Sequence, residues 1–96
     1  MHDWTLTSIS FDWQTGAVIL QLQNQSGVAN LIAEGTADLH VPKLNAWGPS
    51  VSVNKTAGPS NCGGGMMKLD IEMQSGDVIA IVAKNFRMPG HETRAR

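Results

Sequence analysis

The chain has no tyrosine, only two phenylalanines and a single cysteine, and it carries few charges. Each shortage narrows what the protein can be. One cysteine, Cys62, excludes an internal disulfide. Charged residues make up 16% of the chain, against roughly 25% in an average domain. The formal net charge is −1. Nucleic-acid binders normally show a basic stripe, so that class is not expected. The basic residues near the end, Arg87, Arg94 and Arg96, are interrupted by His91 and Glu92. They predict a solvated tail rather than a phosphate-binding arm. The longest apolar run, at residues 78–83, is far short of the roughly 20 residues of a membrane-spanning helix. The opening residues Met1-His2-Asp3-Trp4 lack a basic segment and an apolar segment, so a secretory signal is not expected and the expected compartment is the cytoplasm. The sequons Asn24-Gln25-Ser26 and Asn54-Lys55-Thr56 then read as chance matches.

What is present is strand and turn. The 96 residues suit one domain, burying roughly 60–65% of the surface of the unfolded chain. Its core must come from Val, Ile, Leu and Met, which gives the three Trp unusual weight. Residues 17–23 alternate, with Val18, Leu20 and Leu22 on one face and Gln21 and Gln23 on the other. Residues 67–74 alternate most cleanly, with Met67, Leu69, Ile71 and Met73 opposite Lys68, Asp70, Glu72 and Gln74. Residues 4–11 suit a strand whose apolar parity changes, and a bulge near Thr7-Ser8 reconciles Trp4 and Leu6 with Ile9 and Phe11. Asp12-Trp13-Gln14-Thr15-Gly16 reads as a hairpin connection with Gly16 at positive φ.

Further strands are predicted at residues 28–34, 37–41, 50–54 and 78–84, with Gly35-Thr36 a break between the first two. Pro42 limits the strand before it. Residues 55–65, with four Gly and one Pro, read as a flexible loop. The count is seven short strands at a turn spacing of about ten residues, with no helical period. The expected fold is a single-domain antiparallel β-sandwich or flattened barrel over residues 1–86. Residues 87–96 form an expected, partly disordered tail.

Several residue groups carry chemistry. In the run Trp47-Gly48-Pro49-Ser50-Val51-Ser52-Val53-Asn54, a large aromatic stands beside two backbone punctuators and a short alternating strand follows. Trp47 and Pro49 would give apolar contact area. Ser50, Ser52 and Asn54 share a strand face and would give hydrogen bonds. The alternative is that Trp47 caps an open end of the core. His2, Asp3, Asp12 and His40 form a possible acid–base or metal set, but no His-x-His, His-Glu-x-x-His or paired cysteine is present. Gly63-Gly64-Gly65 lacks the Gly-Lys-[Ser/Thr] and the helix of a phosphate loop. Cys62 has no neighbouring His or cation in sequence to activate its thiol, and reads as a plain surface thiol.

The residues His2-Asp3-Trp4-Thr5-Leu6, Asp12-Trp13-x-x-Gly16, the run at 47–54 and Glu72-Met73-Gln74-Ser75-Gly76-Asp77-Val78 together resemble small bacterial proteins of unknown function. Those proteins are encoded as isolated short reading frames, some as mobile gene cassettes and some as immunity-like neighbours of toxins. The resemblance covers most of residues 2–82. It implies a small β-domain that binds something, and it brings no catalytic residues. The expectation is therefore a non-catalytic binding module without a cofactor. Its partner would be a protein or a small ligand held near the run at 47–54. A structural homo-oligomeric subunit and a small enzyme using His2, Asp3, Asp12 or His40 are the alternatives. Sparse charge on the outward faces, for example Ala17, Ile19, Gln21 and Gln23, favours a homodimer.

Overall fold

A computed structural model describes residues 4–44 and 52–89. Six strands, β1 (Thr5–Asp12), β2 (Ala17–Asn24), β3 (Gly27–His40), β4 (Val53–Gly63), β5 (Met66–Met73) and β6 (Val78–Arg87), form one sheet in the order β1-β2-β3-β6-β5-β4. Every pairing is antiparallel. Among the described residues there is no helix, hence none long and apolar enough to cross a membrane. The all-β expectation holds.

Period-2 patterning sets which face is dry. Val18, Leu20 and Leu22 on β2, Leu31 and Ala33 on β3, and Leu69, Ile71 and Met73 on β5 are all buried. Across the ladder Leu20 lies opposite Leu31, Leu69 opposite Ile81, and Ile71 opposite Ile79. These aliphatic pairs form the core together with Val53 and Ala83. The cluster draws on β2, β3, β4, β5 and β6, and Leu6 and Ile9 of β1 pack against it. A backbone bridge between Thr5 and Ser52 ties β1 to the chain entering β4, so the two ends of the strand order touch. The Val53 N–H also donates to the Trp4 carbonyl at 2.8 Å.

β3 is shared between two neighbours. Residues Gly27 to Ala33 pair with β2, while Ile32 to His40 pair with β6. Two residues past the end of the β2 pairing Gly35 takes φ +65°, and the register with β6 slips at Ala37. The expected break at Gly35-Thr36 is therefore a bend within one strand, which merges two expected strands and leaves six rather than seven among the described residues.

Two other expectations are corrected. Residues 55–65 are no flexible loop: most of them belong to β4, an outer strand paired with β5. Its register slips three times, and Gly58 reaches φ +100° beside Pro59. An outer strand tolerates a proline, which has no N–H to give the ladder. The second correction is at β6, which continues past Lys84 to Arg87. There Asn85 and Arg87 bind Glu34 through side chains, at 3.0 and 3.1 Å. The expected bulge in β1 is present, with Thr7 as the extra residue between Leu6 and Ser8. Gly16 takes φ +74° in the expected hairpin.

Candidate functional site

The bulge in β1 builds the rim of a hollow. An extra residue bends a strand away from its neighbour. Here Thr7 Oγ1 donates to the Gln21 carbonyl at 2.9 Å, which pins the bent segment to β2. Opposite it lie the chain just beyond β3 and the β5–β6 turn. Between these three pieces is a hollow of about 300 Å³. Its walls are mainly apolar, from Leu6, Ile9, Val41, Pro42, Met73 and Ile79. That size and lining lie at the small end of the range for sites that take a small molecule or one large side chain.

The polar side of the hollow centres on Asp77. It is the one buried charged residue among those described, with 7% of its surface exposed. Ser75 Oγ donates to Asp77 Oδ2 at 3.0 Å, and the Leu44 N–H donates to Oδ1 at 3.3 Å. The Asp77 carbonyl accepts the Met73 N–H at 2.8 Å. A buried carboxylate needs such donors to offset the loss of water. They hold the β5–β6 turn against the chain leaving β3, so Asp77 positions two walls of the hollow. Lys43 adds a cationic group at the same rim.

Of the residues expected to bind, Ser52 and Asn54 are described, and neither lines this hollow. Trp47, Pro49 and Ser50 lie outside the described residues. Ser52 bridges Thr5 through its backbone, and its carbonyl accepts the Gln74 N–H at 2.8 Å. Asn54 Nδ2 donates to Glu72 Oε2 at 2.9 Å, and Lys55 Nζ lies 3.9 Å from the other Glu72 oxygen. The chain before the run is fixed at Leu44 on Asp77, and the chain within it is fixed again at Ser52.

The acid–base set is not brought together. His2 and Asp3 lie outside the described residues. Asp12 ends β1, where its Oδ1 accepts the N–H groups of Gln14 and Thr15 at 3.0 and 3.3 Å. It serves the hairpin as a turn-forming side chain. His40 is exposed at the far end of β3. Asp12 faces Ala17, which precedes the Val18–Ala33 pair, so it is level with Glu34. From Glu34 to His40 is roughly 20 Å of strand. Among the described residues no three His, Cys, Asp or Glu side chains group as metal ligands. Cys62 is exposed on β4.

Two residues of consequence escaped the sequence reading. In the sequence Asp77 stood out only as one member of the run at residues 72–78. Trp13 sits at the tip of the β1–β2 hairpin with 85% of its surface exposed, its ring 5.7 Å from that of Phe11. A signal for Trp13 was available: a tryptophan inside a four-residue hairpin connection has no strand face on which to hide. Searches against family models, curated proteins and solved structures returned no match for this chain.

Proposed function

We propose that the protein is a non-catalytic binding module that takes one apolar group of a partner into the hollow between the β1 bulge and the β5–β6 turn. The observation that carries this reading is an apolar hollow of about 300 Å³ with a single buried carboxylate bracing its walls. An aromatic or branched aliphatic side chain fills such a space. Desolvating it supplies on the order of 1.5–3 kcal/mol. On this reading the run at 47–54 would supply Trp47, Pro49, Ser50, Ser52 and Asn54 to the contact; what supports this is that Leu44, shortly before the run, is held by Asp77 on the wall of the hollow. On this reading the sheet closes at Thr5–Ser52 into a flattened barrel, the hollow is its open end, and the protein works in the cytoplasm.

The test is a titration with N-acetyl-tryptophanamide, followed through the methyl signals of Val41, Met73 and Ile79. It uses the Trp13→Ala variant, so that the protein's own exposed indole does not compete. Saturable shifts confined to these methyls, abolished by Val41→Asp, are expected. Trp47→Ala is expected to weaken the binding by more than about 1 kcal/mol while the fold survives. An unfolded Trp47→Ala would assign that tryptophan to the core instead, and absence of any shift at millimolar ligand would overturn the reading.

A structural homo-oligomeric subunit is the second reading. The exposed Phe11 and Trp13 favour it.

A further inference from the structure

The two outer strands of the sheet are defended differently. An exposed strand edge is a template for pairing with another chain, and proteins blunt such edges with Lys, Pro and bulges. β4 has all three: Lys55, Pro59 and three register slips. β1 has the sequence Thr-Leu-Thr-Ser-Ile-Ser-Phe-Asp, without Lys, Arg or Pro, and with one slip. Beyond the Thr5–Ser52 bridge no described strand pairs with its outer edge. Ser8, Ser10, Phe11 and Asp12 along it are exposed.

The two ends of this edge differ, one projecting and one hollow. At one end Trp13 projects into solvent, leaning on Phe11, which is itself 43% exposed. At the other end Leu6, Thr7 and Ile9 line the hollow. A projection and a cavity at opposite ends of one edge strand meet twice when two copies of the strand pair antiparallel about a two-fold axis. That contact is isologous and closed.

We propose that the partner of the hollow is a second copy of this chain, paired along β1, with Trp13 of each copy seated in the hollow of the other. This rests on the reading of the hollow as a binding site and names its occupant. The pattern of β1 selects the register. With the two-fold axis at Ser10, Ile9 lies opposite the partner's Phe11, Ser8 opposite the partner's Asp12, and Thr7 opposite the partner's Trp13. Ile9 and Phe11 then share one face and Ser8, Ser10 and Asp12 the other, as the period of two requires, while the bulged Thr7 meets the partner's Trp13. Asp12 meets a serine rather than a second carboxylate, and a net charge of −1 per chain adds little repulsion. An indole buries roughly 150–250 Å². Two of them, with the cavity walls they cover and the paired strands, supply much of the roughly 800 Å² per partner of a stable interface.

Sedimentation equilibrium between 1 and 100 μM is expected to give a dimer. Trp13→Ala and Ser10→Pro, both at exposed positions, should each raise the dimer dissociation constant by at least about thirtyfold, the scale of a central tryptophan anchor. Side chains directly opposed across an antiparallel pair lie about 4.5–5.5 Å apart at Cβ. Ser10→Cys in a Cys62→Ser background should therefore form a covalent dimer on oxidation, and Gln23→Cys in the same background should not. A wild-type monomer at 100 μM overturns the proposal, as does a Trp13→Ala protein that remains dimeric, whether or not indole enters its hollow. A monomeric Trp13→Ala protein that takes up N-acetyl-tryptophanamide supports both the pairing and the hollow. A monomeric one that refuses it overturns the seating of Trp13 there, and with it the reading of the hollow.

Discussion

The Asp77 carboxylate accepts the backbone N–H of Leu44 at 3.3 Å, across 33 residues of chain. One buried side chain thus ties the β5–β6 turn to the segment that leaves β3, and Ser75 completes the clasp. Removing it takes the acceptor away from both donors. Asp77→Ala is expected to cost about 1–3 kcal/mol and to speed amide exchange at Leu44. Asp77→Asn keeps an acceptor in place and should cost less. Urea unfolding with amide exchange on the two variants measures the difference. Equal losses would mean that the negative charge, rather than the hydrogen bonds, holds the clasp.

The core was legible from the sequence and the outer strand was not, for a reason visible in the residues themselves. Leu20 and Ile71 belong to strands with one dry face and one wet face, so burial writes itself into the sequence with a period of two. The bulge at Thr7 was legible for the same reason, because it shifts that period by one. β4 buries Val53 and little beyond it. Its pairing is carried by backbone groups, which leave no trace in side-chain hydropathy, and its glycines and Pro59 imitate a loop. Gly35 misled in the same way: a residue that permits a bend also permits a break. The hollow is assembled from three distant pieces of chain, and nothing local announces that Leu6, Val41 and Ile79 meet.

Glycines 58 and 35 should respond very differently to alanine. A Cβ at Gly58 would stand 2.5 Å from the Lys68 carbonyl oxygen, in the backbone of the neighbouring strand, at φ +100°. That oxygen cannot move without breaking the β4–β5 ladder. A Cβ at Gly35 would meet only the flexible side chain of Lys84 at 3.0–3.2 Å. There the cost is mainly that of a left-handed backbone, about 1–2 kcal/mol. Gly58→Ala is expected to destabilise by clearly more than Gly35→Ala, and thermal unfolding of the pair ranks them. The reverse order would show that β4 yields more easily than the bend in β3.

Leu20 and Leu31 face each other at the centre of the β2–β3 ladder, both fully buried. Each replacement by alanine should cost about 2–5 kcal/mol through lost burial and the cavity left behind. That is a large part of a total expected near 5–14 kcal/mol for a chain of this length. The two cavities adjoin, so the double variant should lose less than the sum of the singles, with a coupling of at least about 0.5 kcal/mol. Chemical denaturation of the four proteins closes the cycle, and strict additivity would mean that the two side chains pack against separate neighbours.

Thr36 presents the opposite case, a polar atom that the fold has not used. Its N–H donates to the Gly16 carbonyl at 2.9 Å and fastens the β1–β2 hairpin to the bend in β3. Its buried Oγ1 has no hydrogen-bond partner. A buried hydroxyl without a partner has given up water and gained nothing, at a cost of about 1–3 kcal/mol. Valine matches its shape and keeps the backbone bond. Thr36→Val should therefore be neutral or stabilising, by up to about 1 kcal/mol once the dry methyl is credited against any residual strain. Thr36→Ser keeps the unpaired oxygen, loses a methyl and should be less stable than wild type. Midpoints of thermal unfolding for the three proteins test this order. A destabilised Thr36→Val would show that the hydroxyl finds a partner in solution, and Trp13 with Asp38, which share an open hollow with Thr36, mark where to look for it.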